Sequence, residues 1–206
     1  MTNLSFESQL ENYAELIIKY GLNVQAGQDV RLAIDAYNRD FAVLLVKKAY
    51  QAGAKFVAVD LIDRRFERER IIHNSMEELT YVPKYIPLRF SDFVDNSSAT
   101  ASIRGEEDPD IMSDLPENKI SCLENSIQSA LEYFYDQGIS QSRVHWTVAA
   151  AATPLWAKRL FPEKSEAEAV QKLWEWILKI CRCDRPDFMN AWHDINYRLT
   201  EYGANE

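Results

Sequence analysis

The chain has 206 residues, of which 47% are hydrophobic and 27% are charged, a composition typical of a folded globular protein of one domain. Its 32 acidic residues outnumber its 23 basic ones, and the net charge of −9 argues against a nucleic-acid partner, because phosphate backbones attract clustered cations. No apolar run reaches the roughly 20 residues that a membrane span needs, and the start, MTNLSFESQLENYAELIIKYG, lacks the features of a signal peptide. We therefore expect a cytoplasmic protein with no nucleic-acid and no membrane partner.

The first part of the chain alternates helix and strand patterns. Residues 10–18 carry apolar side chains at helical spacing and are followed by a glycine, which predicts a first helix. Strict alternation over 30–35 predicts a strand. The segment 41–53 is ambiguous at its apolar start, but Asn38 as a cap and a closing glycine favour a helix. The run KFVAVD then predicts a second strand at 56–60.

The same alternation continues to the end of the chain. The segments RRFERERIIH and SMEELTYVPKYI predict helices, and ATASIRG predicts a short strand at 99–103. A long helix with an apolar stripe is predicted from Pro116 to Gln137, ended by Gly138. A fourth strand is predicted at 144–151, and two more helices follow it.

Strands that alternate with helices, without hairpin turns between them, predict crossover connections and a parallel sheet. The predicted fold class is therefore α/β. We expect a single domain over residues 1–206 with a mainly parallel sheet and helices on both faces, because no linker and no internal repeat interrupts the pattern.

Four consecutive alanines lie within VHWTVAAAATPLWAKRLFP, residues 144–162. Thr153 and Pro154 predict a helix that starts directly after the strand, with the threonine hydroxyl accepting a backbone N–H. Small residues at the carboxyl end of a strand allow either tight packing or the close approach of a ligand. Packing is the favoured interpretation, because no glycine-rich fingerprint or nucleophile elbow accompanies the alanines, and the ligand-facing alternative stays open.

The segment SEAEAVQKLWEWILKIC predicts a capped helix with one buried face. Ser165 and Glu168 have the spacing of a capping box. The predicted core face consists of Val170, Leu173, Trp174, Ile177, Ile180 and Cys181. Trp176 lies off this face and is a candidate surface aromatic for contact with another domain or subunit.

Metal-binding and catalytic residue types are dispersed along the chain. His73, His145 and His193 have no metal-ligand spacing, and each is interpreted as structural or solvated. The three cysteines, an odd number without a CxxC pair, predict neither a disulfide framework nor a zinc site: Cys122, Cys181 and Cys183.

Acidic residues are concentrated in the turn IRGEEDPD. Its carboxylates are Glu106, Glu107, Asp108 and Asp110. We interpret them as a solvated turn in which Asp108 caps a helix at Pro109, with a weak cation site as the alternative. Motifs alone therefore assign no catalytic, cofactor-binding or metal residue in this chain.

Five segments in order resemble one family: YAELIIKYGLNVQAGQ, AYQAGAKFVAVD, IRGEEDPDIM, HWTVAAAATPLWAKRLFP and AVQKLWEWILKICRCD. This is the family of metallo-aminopeptidases that includes aminopeptidase T of thermophiles and aminopeptidase S. The resemblance covers nearly the whole chain, and it is the ordered set of segments that is specific.

The resemblance implies an N-terminal α/β domain of a protein about twice as long. Its C-terminal catalytic domain would supply the Glu, His and Asp ligands of a paired centre of zinc, cobalt or manganese. Those ligand motifs have no counterpart here, so no catalytic or metal residue is carried over. The implied partners are the missing C-terminal domain, peptides in the full-length context and, as an open alternative, a second copy in a homodimer.

Two hypotheses follow from this resemblance. In the first, the chain is the first half of a metal-dependent aminopeptidase and is inactive without the second half. In the second, it is a stand-alone, non-catalytic binding or scaffold domain from a truncated gene. The sequence by itself does not decide between them.

Overall fold

The computed structural model of the chain describes residues 4–105 and 108–203. Its strands are β1 (Asp29–Asp35), β2 (Phe56–Ile62), β3 (Ala99–Arg104) and β4 (His145–Ala150). Its α-helices are α1 (Phe6–Glu15), α2 (Arg39–Gln51), α3 (Arg64–His73), α4 (Met76–Leu79), α5 (Tyr85–Asp95), α6 (Glu117–Ala130), α7 (Pro154–Leu160), α8 (Glu166–Ile180) and α9 (Phe188–Gly203). A π-helical segment, Leu16–Gly21, continues α1, and another, Phe134–Ile139, follows α6.

Within the described residues the strands form one parallel sheet in the order β2-β1-β3-β4. The register aligns Val30 with Val57 on one side and with Ala99 on the other. The four predicted strands and the α/β fold class are thereby confirmed. Strands β1 and β3 therefore each pair with two neighbours, whereas β2 and β4 form the two edges of the described sheet.

The main core fills one face of the sheet. Val30, Leu32 and Ile34 of β1 are almost completely buried there, as are Ala101 and Ile103 of β3. Helices α1, α2 and α8 cover this face, and their rings meet in one cluster. Tyr13 stacks on Phe41 at 5.7 Å between ring centroids, and Trp174 meets Phe41 edge-on at 5.4 Å. The alternating apolar residues of the strands and the apolar faces of the helices thus pack into a single layer.

Helix α8 confirms its predicted cap and corrects part of its predicted face. The backbone N–H of Glu168 donates to Ser165 Oγ, and the Ser165 N–H donates to the Glu168 carboxylate, so the capping box forms. Leu173, Trp174 and Ile177 are buried as predicted. Ile180, however, is 76% exposed. Its position around the helix axis places it on the same face as Leu173 and Ile177, but it is the last residue of the helix and no described element covers it there.

The long helix predicted from Pro116 to Gln137 is interrupted. Helix α6 ends at Ala130, and the chain resumes as the π-helical segment. A Cβ on Gly138 would lie 2.9 Å from Val94 Cγ2 and 3.2 Å from Val144 Cγ2, so this glycine allows the segment to pack tightly on α5 and on the start of β4. Gly138 therefore serves a close approach and not a helix stop, because the segment runs on to Ile139.

Other local predictions also differ from the structure. Asn38 lies at the N-cap position of α2 as predicted, but it also ends a 3-10 turn and its side chain makes no cap hydrogen bond. The segment 75–86 contains only the one-turn helix α4 before α5 begins. The predicted helix at Pro109 is wrong, because residues 109–114 form turns in which the Asp110 N–H donates to Asp108 Oδ1. No described helix is long and apolar enough to cross a membrane.

Candidate functional site

The second face of the sheet is only partly covered and floors a groove of about 1090 Å³. Helices α3, α5 and α6 and the second π-helical segment form its walls. The floor consists of Arg31, Ala33, Thr100, Ser102, Trp146 and Val148. The floor therefore carries polar as well as apolar side chains on a sheet face that most parallel sheets cover completely.

An ion-pair network lies on this floor. Arg31 Nε donates to Asp60 Oδ2 at 2.7 Å, and Arg89 donates to Asp60 Oδ1 at 2.8 Å. The Arg31 guanidinium also lies 5.0 Å from the centroid of the Phe90 ring. Burial lowers the pKa of Arg31 from its usual value, although Asp60 opposes this effect. Asp60 thus holds two arginines against the sheet.

Replacing Asp60 with asparagine is expected to destabilise the protein by about 1–3 kcal/mol, because the largely buried Arg31 loses its compensating charge. The measurement is a chemical denaturation midpoint for D60N against wild type. The matched control is D40N, since Asp40 carries an almost fully exposed carboxylate. Equal midpoints for D60N and wild type would contradict the assigned role.

The motifs do not predict this network, although the sequence carries a signal for it. Arg31 interrupts the apolar strand DVRLAID, and Asp60 ends the apolar run KFVAVD. Both residues lie on the same face of neighbouring strands, because Arg31 pairs with Ala58 in the register and Asp60 follows two residues later. Two charged residues on one face of predicted buried strands indicate an ion pair or a polar site.

The groove continues to the carboxyl ends of β1 and β3, where the strand order reverses. Open α/β sheets bind ligands at such a switch point. Asp35, Arg104 and Gly105 lie there, and the groove also includes Asp63, which caps α3 after β2, and Arg65 in the first turn of α3. Asp63 accepts hydrogen bonds from Arg65, and Asp35 accepts one from the Tyr37 N–H. The described lining of the groove therefore offers binding groups, and it contains no histidine or cysteine.

The alanine run lies beside this edge and packs against it. Ala151 and Ala152 are completely buried, as is Thr153. Helix α7 starts at Pro154 with Thr153 at the N-cap position as predicted, but the Thr153 hydroxyl donates to the Gly105 carbonyl and makes no side-chain cap hydrogen bond. A Cβ on Gly105 would lie 2.3 Å from the Ala151 carbonyl oxygen. The small residues thus allow the ends of β3 and β4 to meet, which favours packing over a ligand-facing role.

The three histidines lie on separate elements. His73 on α3 is 3.2 Å from the Glu69 carboxylate, one turn away. His145 Nδ1 lies 3.1 Å from the Leu22 carbonyl oxygen. His193 on α9 meets the Tyr20 ring edge-on at 5.4 Å. His73 is largely exposed, whereas His145 and His193 contact other parts of the fold, which agrees with the interpretation of each histidine as structural or solvated.

The acidic turn and the cysteines form no site among the described residues. Glu106 and Glu107 lie outside those residues, so the alternative of a cation site is untested there. Asp110 forms an ion pair with Arg159 on α7. Burial raises the pKa of the Cys181 and Cys183 thiols, which disfavours the reactive thiolate. Over residues 4–105 and 108–203, no three His, Cys, Asp or Glu side chains group closely enough to hold a metal ion.

Comparisons with known proteins show the family to which this chain belongs. The sequence profile of the thermophilic metalloprotease (M29) family matches residues 6–204. The chain belongs to the M29 family. Aminopeptidase PepS of Streptococcus thermophilus is 37% identical over 95% of this chain and 47% of its own length. Aminopeptidase T of Thermus thermophilus is 32% identical over 96% of this chain and 48% of its own length.

A solved structure agrees with these sequence matches. Wild-type AmpT from Thermus thermophilus superposes with a TM-score of 0.77 and 30% identity, over 84% of this chain and 43% of that chain. The present M29 chain therefore spans about half the length of the relatives it matches, and it corresponds to their N-terminal region. The divalent metal that a metalloprotease family implies finds no fitting ligand set among the described residues.

Proposed function

We propose that this M29 chain is the N-terminal half of a metal-dependent aminopeptidase and that it hydrolyses no peptide without the second half. The supporting observation is the match to aminopeptidases over nearly the whole chain but only 47% of their length. Metal-assisted hydrolysis needs several ligands at fixed geometry and an open position for water. In this proposal the second half contributes the zinc, cobalt or manganese ligands, and the present half contributes the scaffold and one side of the peptide cavity.

The groove supports a binding role within this proposal. Its aromatic side chains offer apolar contact, and its paired arginines and carboxylates carry balanced charge, as suits a peptide backbone. We also propose a cytoplasmic location, since Cys122, Cys181 and Cys183 are all free thiols.

The expected result is that the purified chain, supplied with zinc, cobalt or manganese, shows no turnover of an aminoacyl reporter substrate. A chimera that continues this chain into the remaining part of PepS from Streptococcus thermophilus is expected to show turnover that a chelator abolishes. The remaining part of PepS alone is the matched control. Chelator-sensitive turnover by the present chain alone would contradict the proposal.

The alternative is a stand-alone, non-catalytic scaffold domain. A folded, metal-loaded chimera without turnover would favour it, because the present half would then be unable to complete an enzyme. The stability of the sheet and its capped helices is compatible with either role.

A further inference from the structure

Strand β4 borders the sheet and carries no charge, proline or bulge of the kind that usually protects an edge strand. From His145 to Ala150 it contains no lysine, arginine, aspartate, glutamate or proline, and its pairing with β3 runs without a bulge. Natural edge strands are normally blunted by charges, prolines or bulges, or are covered by another segment. An unprotected edge of this kind is suited to receiving a further strand.

The hydrogen-bonding pattern shows which groups on this edge are available. The Ala151 N–H donates to the Arg104 carbonyl, so Ala149 and Thr147 also direct their backbone groups toward β3. Trp146, Val148 and Ala150 therefore direct theirs outward. The Tyr13 hydroxyl satisfies both outward groups of Ala150.

The corresponding groups of Trp146 and Val148 face solvent within the described part of the chain. Their side chains share the groove face of the sheet, where Trp146 is 55% exposed and Val148 is 58% exposed. Leu155 of α7 lines the same groove and is also exposed. Unpaired backbone groups and apolar side chains thus coincide at one place, which is the combination that strand addition uses.

The last described helix lies on the same side of the molecule. Tyr20 donates to the Trp192 carbonyl of α9 and contacts His193, while its neighbour Gly21 lies against Thr147 of β4. Gly203, the last residue of α9, follows His193 by ten residues, so the end of the helix lies about 15 Å from His193. In a longer M29 polypeptide the chain would therefore continue from a helix whose His193 contacts Tyr20, next to the residue that lies against β4.

We propose that the β4 edge accepts an extended apolar segment of the second half of the M29 polypeptide as an added strand, paired to Trp146 and Val148. This inference rests on the proposed function, since it requires a second half. A second copy of this chain is disfavoured as the occupant, because each copy carries a net charge of −9. The opposite edge, β2, is disfavoured because it lies three positions away from β4 in the strand order, whereas Gly21, next to Tyr20, lies against Thr147 of β4.

Hydrogen exchange of single amides tests the proposal in the chain alone and in the PepS chimera. In the chain alone we expect a monomer with fast exchange at Trp146 and Val148 and slow exchange at Thr147 and Ala149. In the chimera, exchange at Trp146 and Val148 is expected to slow by at least about tenfold. The Val59 amide, on the outer edge of β2, is the internal control and is expected to stay unchanged, since the Val57 N–H on that edge donates to Tyr50 and not to β1.

A pair of proline variants separates docking from folding. Val148→Pro removes only an outward N–H, so the chain alone is expected to keep its denaturation midpoint while the chimera loses protection at Trp146. Ala149→Pro removes an N–H that bonds to β3, so it is expected to destabilise the chain alone. Equal midpoints for these two variants would overturn the assignment of the outward groups.

The outcomes distinguish this proposal from the proposed function. An active chimera with fast exchange at Trp146 and Val148 overturns the docking site but agrees with the proposed aminopeptidase function. An inactive chimera with protected amides supports the docking site but contradicts the proposed aminopeptidase function. A dimer of the chain alone that Val148→Pro dissolves assigns the edge to a second copy and overturns the proposal. If the chimera is insoluble, mixing the chain with the separately produced remainder of PepS gives the same readout, and unchanged exchange overturns the proposal.

Discussion

Gly105→Ala is expected to lower the free energy of unfolding by at least about 3 kcal/mol, because the added methyl group meets backbone and not a movable side chain. Its Cβ would lie 2.3 Å from the Ala151 carbonyl oxygen and 2.9 Å from Thr153 Cγ2. The Ala151 carbonyl oxygen belongs to the backbone and cannot rotate away, and the Thr153 side chain is completely buried. The ends of β3 and β4 would have to separate, and the hydrogen bond from Thr153 to Gly105 would be lost with them. Urea denaturation followed by circular dichroism measures the change.

The matched control for this substitution is Gly27→Ala. Gly27 has a φ of +79° and nothing within 4 Å of its Cβ position, so alanine there costs only the backbone strain of about 1–2 kcal/mol. A Gly105 variant no less stable than the Gly27 variant would show that the strand ends tolerate separation. The close packing assigned to the alanine run would then be wrong.

Leu173→Ala is expected to destabilise the protein by about 2–5 kcal/mol, because the side chain is buried in the core face of α8 and its removal leaves a cavity. Ile177→Ala is expected to cost an amount in the same range for the same reason. Ile180→Ala removes a side chain of the same size as Leu173 from the same helix but from an exposed position. Its expected cost is within about 0.5 kcal/mol of zero.

Denaturation midpoints of these variants, measured under one set of conditions, check the prediction. A large cost at Ile180 with a small one at Leu173 would mean that α8 presents a different face to the sheet. Comparable costs at all three positions would mean that the end of α8 is covered as well.

For the candidate site, the sequence provided the scaffold but not the arrangement of its polar groups. The spacing of apolar residues located β1, β2 and β3 to within two residues of their observed ends. The charged residues Arg31 and Asp60 in apolar strands indicate a polar site, but the spacing does not show that Asp60 binds both Arg31 and Arg89, since these residues come from three elements separated by 29 positions at each step. Such pairings depend on strand order and helix placement, which local pattern does not encode.

Local sequence determined those features of this protein that depend on neighbours within a few residues. The capping box at Ser165 and Glu168 and the alternation along β1 involve contacts of that short range, so propensity and period suffice to predict them. The order of the M29-like segments also identified the family. Tertiary structure alone decided that Ile180 is exposed, that Gly138 packs in a π-helical segment and that β4 borders the sheet of the described residues. Each of these depends on which distant element lies beside the residue, and only the packing of the whole chain sets that.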